Sequence, residues 1–226
     1  MCNPRVLALV ACAGLLAACS SGEAAQDADT PTADIGKVSE VKSSFGPEFK
    51  VTEVPTTGID PKLLGAQQLP AGLKFEPPDC AQFATGQQMP GDLKGNMAAV
   101  SAEGAGIRYI AIAMQTSEPI PMVNASENCQ KVNFAGGALR GTVETVPTPG
   151  IGGVQTQGVH RVLQTVINGA PQTGEIYSYL AQFGDYQVIV TANPLVIPEK
   201  PVAKVDTARA EKLLSDTVSA IRGGPA

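Results

Sequence analysis

Two tight-turn signals between residues 158 and 193 constrain the fold of this chain more than any other feature. Asn168-Gly169 is a strong hairpin signal, because Asn and Gly readily adopt the positive φ angles of a two-residue turn. It separates two strand-like stretches, Val159 to Ile167 and Glu175 to Phe183. Gly184-Asp185 then precedes a third alternating stretch, Tyr186 to Asn193. Together they predict a three-stranded antiparallel meander.

The elements around this meander indicate the fold class. Lys94 to Ser101 and Ile107 to Thr116 alternate and flank residues 102–106, which predicts a hairpin with a five-residue loop. Apolar residues recur at helical spacing after Asp34 and again from Thr207 to Arg222, where Asp206 can cap the helix. We therefore expect an α+β fold: an antiparallel sheet including the C-terminal meander, with N- and C-terminal helices packed on one face.

The remaining segments carry weaker signals. Phe49 to Val54 and Leu139 to Val146 alternate and predict strands. Thr56 to Pro78 is rich in Pro and Gly, which predicts an irregular segment with a short helical turn after Pro61. Pro77-Pro78-Asp79 can start a short helix that carries Cys80. Asn124 to Phe134 is predicted to be helical.

Four residues near the N-terminus, Leu16-Ala17-Ala18-Cys19, form a lipobox. They end an uncharged stretch that follows Arg5 and is too short to span a bilayer. The pattern predicts a lipoprotein signal peptide over residues 1–18, acyl chains such as palmitate on Cys19, a disordered tether over 19–33 and one globular domain over 34–224. An ordinary signal peptide, with Cys19 incidental, is the alternative. The expected location is the extracytoplasmic side of the cell membrane.

Two cysteines remain for the folded part, Cys80 and Cys129, because Cys2 and Cys12 leave with the signal. In an exported domain a pair of cysteines favours one disulfide. Metal ligation and free thiols are the alternatives. The absence of a CxxC motif or a nearby histidine from the sequence argues against a zinc site.

The acidic balance of the chain restricts its partners. Removal of Arg5 with the signal leaves 15 basic against 21 acidic residues, a formal charge of −6. Such a chain is poorly suited to nucleic acid or to electrostatic attraction by anionic lipid. We expect membrane attachment through Cys19, no nucleic-acid partner, and an envelope lipid, glycan or protein as the candidate binding partner.

No convincing catalytic, metal or cofactor motif is found in the sequence. His160 is the only histidine, and no G-x-S-x-G elbow presents a serine for a triad that would use it. Spacing alone does not bring any two carboxylates together, and the candidates are Asp79, Glu103, Glu144, Glu175 and Asp185. We therefore predict no catalytic residues and no cofactor.

Aromatic residues cluster on one predicted strand and the turn that follows it. Strand periodicity places Glu175, Tyr177, Tyr179 and Phe183 on one face, with Tyr186 just beyond. These rings can supply core packing for the sheet. The alternative is a ligand or partner surface formed by Tyr177, Tyr179, Phe183 and Tyr186.

Several segments resemble a family of mycobacterial cell-envelope lipoproteins defined by a domain of unknown function. Besides the lipobox, they are residues 42–47 (KSSFGP), 78–80 (PDC), 128–132 (NCQKV) and 183–194 (FGDYQVIVTANP). The element order also resembles, more weakly, the extracellular sensor domain of a mycobacterial receptor Ser/Thr kinase. That domain has two disulfides, whereas this chain has cysteines for one. Neither resemblance implies a catalytic residue.

Three hypotheses about function follow from the sequence. The first is a non-enzymatic, sensor-like binding module anchored at the cell envelope. The second is a cell-wall or ester hydrolase, which would require two carboxylates, or His160 with a serine and an aspartate, to converge in one cleft. The third is a passive surface antigen.

Overall fold

Antiparallel pairing of strands, most of them joined by short connections, builds one continuous sheet. The computed structural model describes residues 33–59, 69–87, 93–167, 169–197 and 200–224. Within them, the sheet has nine strands: β1 (Lys50–Gly58), β2 (Lys74–Glu76), β3 (Gly95–Gly104), β4 (Ile107–Thr116), β5 (Lys131–Gly136), β6 (Leu139–Thr145), β7 (Gln155–Ile167), β8 (Ala170–Phe183) and β9 (Tyr186–Pro194). Their order across the sheet is β1-β3-β4-β9-β8-β7-β6-β5-β2.

The predicted meander is present and longer than the sequence indicated. Ile167 pairs with Ala170 across the first turn, and Phe183 pairs with Tyr186 across the second. Gly169 and Gly184 have φ of 77° and 56°, which explains why glycine serves at these turns. Asn168 lies outside the described residues. The β7–β8 hairpin extends beyond β9. Strand β8 therefore has no second neighbour before Tyr177, whereas β7 pairs with β6 as far as Gln164.

Helices at both ends of the domain cover one face of the sheet, as predicted. A 3₁₀ helix spans Ile35–Ser44, and the Asp34 carboxylate caps it by accepting from the Gly36 backbone N–H at 2.9 Å. Two α-helices follow in the described chain, α1 (Ala81–Thr85) and α2 (Thr207–Arg222). Asp206 caps α2, and Gly223 ends it with a left-handed backbone. The apolar stripes of α2 and of the 3₁₀ helix pack on Tyr109, Tyr179 and Val190 of the sheet.

The opposite face of the sheet carries the disulfide. Cys80 and Cys129 are bonded, with an S–S distance of 2.00 Å, and both are buried. Cys80 lies in a 3₁₀ turn, Pro78–Cys80, that leads into α1, and Phe83 and Ala84 of α1 pack on Val132, Phe134 and Val143. The bond therefore joins the predicted short helix to the segment between β4 and β5.

Two predictions about connecting segments were wrong. The β3–β4 loop is a two-residue turn, because the strands pair until Gly104 meets Ile107, and Ala105 and Gly106 adopt φ of 51° and 78°. Asn124 to Phe134 is not a helix. Only Glu127–Cys129 forms a 3₁₀ turn, and Lys131 onward is strand β5, whose alternating burial matches a sheet with one packed face.

The segment predicted to be irregular contains more strand than expected. β1 continues to Gly58, with a register shift between Val54 and Thr57, and β2 pairs with β5 at the far edge of the sheet. Long-range pairing supplies the hydrogen bonds that make these residues strands, and local composition does not show it. The helical turn predicted after Pro61 lies outside the described residues.

Candidate functional site

The C-terminal helix determines which of the predicted aromatic residues can meet a ligand. Tyr179 is fully buried beneath α2, and Tyr186 is 8% exposed. The Phe183 ring stacks on Tyr186 with centroids 5.5 Å apart and lies beneath the Arg222 guanidinium at the end of α2. Tyr177, like Phe183, is partly buried at the border of the main apolar cluster. Since Tyr179 and Tyr186 are buried, the four rings do not share one open surface.

Burial affects the protonation of these tyrosines. Desolvation, with a smaller contribution from the Glu211 charge, raises the pKa of Tyr179 to about 12. Burial also raises the pKa of Tyr177, and the carboxylates of Glu175 and Glu144 act in the same direction. Tyr177 therefore remains a neutral hydrogen-bonding group at physiological pH.

Half of the helix-bearing side of the sheet is not covered by helices. In the described chain, α2 packs on β4, β8 and β9, and β5 shows the consequence: Val132 and Phe134 are buried on the disulfide side, while Lys131 and Asn133 are exposed on the other. We call this uncovered region the open face. Its members, from the register of β5 to β8, are Lys131, Asn133, Ala135, Arg140, Thr142, Glu144, His160, Val162, Gln164, Val166, Thr173, Glu175 and Tyr177.

Contacts between neighbouring strands hold the polar side chains of the open face in place. The His160 Nε2 lies 2.9 Å from the Glu175 carboxylate, and the imidazole stacks on the Tyr177 ring at 4.1 Å with 12° between the planes. The Arg140 Nε–H donates to the Gln164 carboxamide oxygen at 3.0 Å. These contacts join strands β6, β7 and β8, so they hold the side chains in position relative to one another.

A second ion pair lies next to the imidazole. The Lys131 ammonium lies 2.5 Å from the Glu144 carboxylate, and Glu144 is the direct cross-strand neighbour of His160. The His160 side chain is 17% exposed, so the imidazole is partly shielded while the two carboxylates beside it are more open. These polar side chains therefore form two pairs at the surface, Lys131 with Glu144 and His160 with Glu175.

Two shallow cavities lie on the open face. One has a volume of about 360 Å³ and is lined by Asn133, Thr142, Val162, Arg140 and Gln164 among others. The other, of about 490 Å³, is lined by Thr173 and Val166 and again by Arg140 and Gln164. Because they share residues, the cavities form one groove across β5 to β8.

Three of the five candidate carboxylates lie away from the open face and have their own partners. Asp79 accepts from the Asn128 amide, Glu103 pairs with Arg108, and Asp185 accepts from Gln115. The other two, Glu144 and Glu175, both lie beside His160. In the described parts of the chain, no serine or threonine hydroxyl bonds the imidazole, and no three His, Cys, Asp or Glu side chains could hold a metal.

Register explains why sequence reasoning missed the open face. Polar residues alternate with apolar ones on β5 and β6, and this signal was visible in the sequence. What it could not show is which strands neighbour one another, and His160, Glu175 and Tyr177 meet only because β7 and β8 pair in this register. Cys19 lies outside the described residues. No helix among those described is long and apolar enough to cross a membrane.

The architecture defines the protein as an α+β domain built on one antiparallel sheet. The chain belongs to the family described as a domain of unknown function (DUF5642), whose model matches residues 34–222. It is also similar to an uncharacterised protein from Mycobacterium smegmatis whose crystal structure is known. The two sequences are 57% identical, the two structures match with a TM-score of 0.80, and the match covers 85% of this chain and 99% of that one. No curated protein matches the sequence. The predicted membership of a family defined by a domain of unknown function is thus confirmed.

Proposed function

We propose that this chain is a lipid-anchored, extracytoplasmic binding module of the cell envelope, with the open face as its binding surface. The observation that carries the proposal is the contrast within one side of the sheet. Beneath α2 this side is packed and apolar, whereas over β5 to β8 it presents paired polar side chains around a groove. Ligand sites combine such a concave surface with a few positioned polar groups.

The chemistry of the open face supports binding rather than catalysis. The Glu175 carboxylate is engaged by His160, and the Glu144 carboxylate by Lys131. The groove is shallow, so water would not be excluded from a reacting bond. The lipobox supports the envelope location, since acylation of Cys19 would hold the domain at a membrane surface.

Co-purification tests the binding function. The full-length protein is extracted from membranes of its native host, and bound molecules are identified by mass spectrometry. We expect an envelope component with the wild type and with Arg108→Ala, whose side chain lies on another part of the sheet and pairs with Glu103. Arg140→Ala should lose it. Ligand-free wild-type protein would contradict the proposal and favour the passive surface protein.

The anchor is tested separately with Cys19→Ala. Metabolic labelling with an alkyne-bearing palmitate should mark the wild type and leave the variant unlabelled, and the variant should move from the membrane to the soluble fraction. Equal labelling of both would contradict lipid attachment at Cys19.

A hydrolase is a second candidate, because Glu144 and Glu175 both lie beside His160. Its test is turnover of chromogenic esters and glycosides by the wild type and by His160→Ala. We expect no turnover above buffer. Turnover that disappears in His160→Ala would favour the hydrolase over the binding module.

A further inference from the structure

The charges of the open face balance. Lys131 and Arg140 supply two cations, and Glu144 and Glu175 supply two carboxylates. The groove itself is lined by one charged side chain, that of Arg140. A polyanion would find a single cation there and a cationic ligand no carboxylate, so neither gains the charge complementarity that it needs. This balance favours an uncharged ligand.

The open face offers hydrogen-bond donors and acceptors side by side. Asn133, Thr142 and Gln164 each provide both, and only one of the five N–H donors of Arg140 is used by Gln164. A hydroxyl group is also both donor and acceptor, so a ligand with many hydroxyls could satisfy these groups in several places. The Arg140–Gln164 bond fixes two of them before the ligand arrives, which lowers the entropy cost of binding.

Two valines provide apolar contact between these polar groups. Val162 lines the smaller cavity and Val166, which is 55% exposed, lines the larger one. A sugar ring has this same combination, since its C–H groups form an apolar face and its hydroxyls surround that face. The groove crosses four strands, so it is about 14 Å long at the usual strand spacing. That length suits a short oligosaccharide.

We infer that the open face binds an uncharged oligosaccharide, with Arg140, Asn133 and Gln164 bonding its hydroxyls and Val162 and Val166 packing against its rings. This inference rests on the proposed binding function and specifies its ligand class.

Equilibrium titration of the full-length protein in neutral detergent tests the ligand class. The probes are maltohexaose, cellohexaose and mannohexaose as neutral oligosaccharides, and glycerophosphoglycerol, the soluble headgroup of phosphatidylglycerol, as the charged alternative. We expect at least one oligosaccharide to bind and glycerophosphoglycerol not to compete. Arg140→Ala should weaken binding about tenfold, the effect of removing one charged hydrogen-bond donor. Arg108→Ala should leave binding unchanged, because Arg108 is a partly exposed arginine that bonds Glu103 on a neighbouring strand outside the open face.

The outcomes separate the ligand class from the proposed function. Binding of glycerophosphoglycerol that is lost in Arg140→Ala, without oligosaccharide binding, would overturn the sugar as the ligand and leave the proposed binding function standing. Equal weakening by both arginine variants would overturn the site. Absence of binding to every probe overturns the ligand class, and the proposed function also falls if wild-type protein from membranes carries no ligand. If Arg140→Ala does not fold, Gln164→Leu replaces it, with the same expected loss.

Discussion

Tyr177 and Tyr179 lie two residues apart on the same face of β8, and their surroundings differ. Tyr179 is fully buried under α2, where its ring contributes to the main apolar cluster. Tyr177 stacks on His160 at the border of the open face. Sequence periodicity gives both residues the same direction but does not show where the helix above them ends. Two residues on the same face of one strand can therefore differ in how deeply they are buried.

Tyr179 should make the stability of the fold sensitive to alkaline pH. Its pKa is raised from 10.0 to about 12, so the folded state retains a proton that the unfolded state loses. The stabilisation is therefore complete below pH 10 and is lost as pH rises towards 12. Between pH 8 and pH 11, we expect the wild type to lose about 1 kcal/mol more unfolding free energy than Tyr179→Phe. Urea denaturation at both pH values measures this, and parallel losses would contradict it.

Two glycines on either side of Leu163 provide a matched test of packing. Gly141 on β6 and Gly174 on β8 both pair with Leu163. A Cβ at Gly141 would lie 2.0 Å from the Val162 carbonyl oxygen and 2.5 Å from the Phe134 ring, whereas a Cβ at Gly174 would meet nothing within 4 Å. Gly141→Ala should cost about 2 kcal/mol of unfolding free energy or more, and Gly174→Ala less than about 0.5 kcal/mol. Equal effects in urea denaturation would show that the β6–β7 contact is looser than described.

At the scale of elements, local signals predicted the meander, the β3–β4 hairpin and α2, whereas long-range pairing extended β1 and formed β2. Asn168-Gly169 and the Asp206 cap act within a few residues, so they can be recognised in sequence. Strand β5 was predicted as helix, whereas it forms a hairpin with β6 and also pairs with β2, which is distant in sequence. The open face depends on the same pairing and was missed for the same reason.

The disulfide should be the main constraint on the segments that cover the second face. Cys80 and Cys129 are 49 residues apart in sequence, and a loop of that length gives about 4 kcal/mol by restricting the unfolded chain. We expect a reductant to lower the unfolding free energy of the wild type by about 3–4 kcal/mol in urea denaturation. The double variant Cys80→Ser, Cys129→Ser should not respond to reductant. Two thiols that react with an alkylating agent in the native protein would contradict the pairing.

At the scale of the molecule, the open face and the start of the described chain lie towards opposite ends of the domain. The described chain begins next to the end of α2, where the Asp34 backbone N–H donates to the Ile221 carbonyl at 2.8 Å. The β8–β9 turn lies at this same end, because the Tyr186 hydroxyl is bonded by the Ala33 backbone. From there, β8 runs back towards the β7–β8 turn, about 45 Å away at the rise of an extended strand. Most of the open face therefore lies away from the end of the domain at which the described chain begins.

Hydroxyl-radical footprinting of the full-length protein in native envelope membranes tests the central claim most directly. The method reports the solvent access of individual side chains, and the open face contains reactive ones at His160, Val162 and Tyr177. In membranes, we expect these side chains to be oxidised several-fold more slowly than in the purified, delipidated protein. Exposed Val202, outside the open face, should be oxidised at the same rate in both preparations. Equal oxidation of the open face in both would contradict its role as the binding surface.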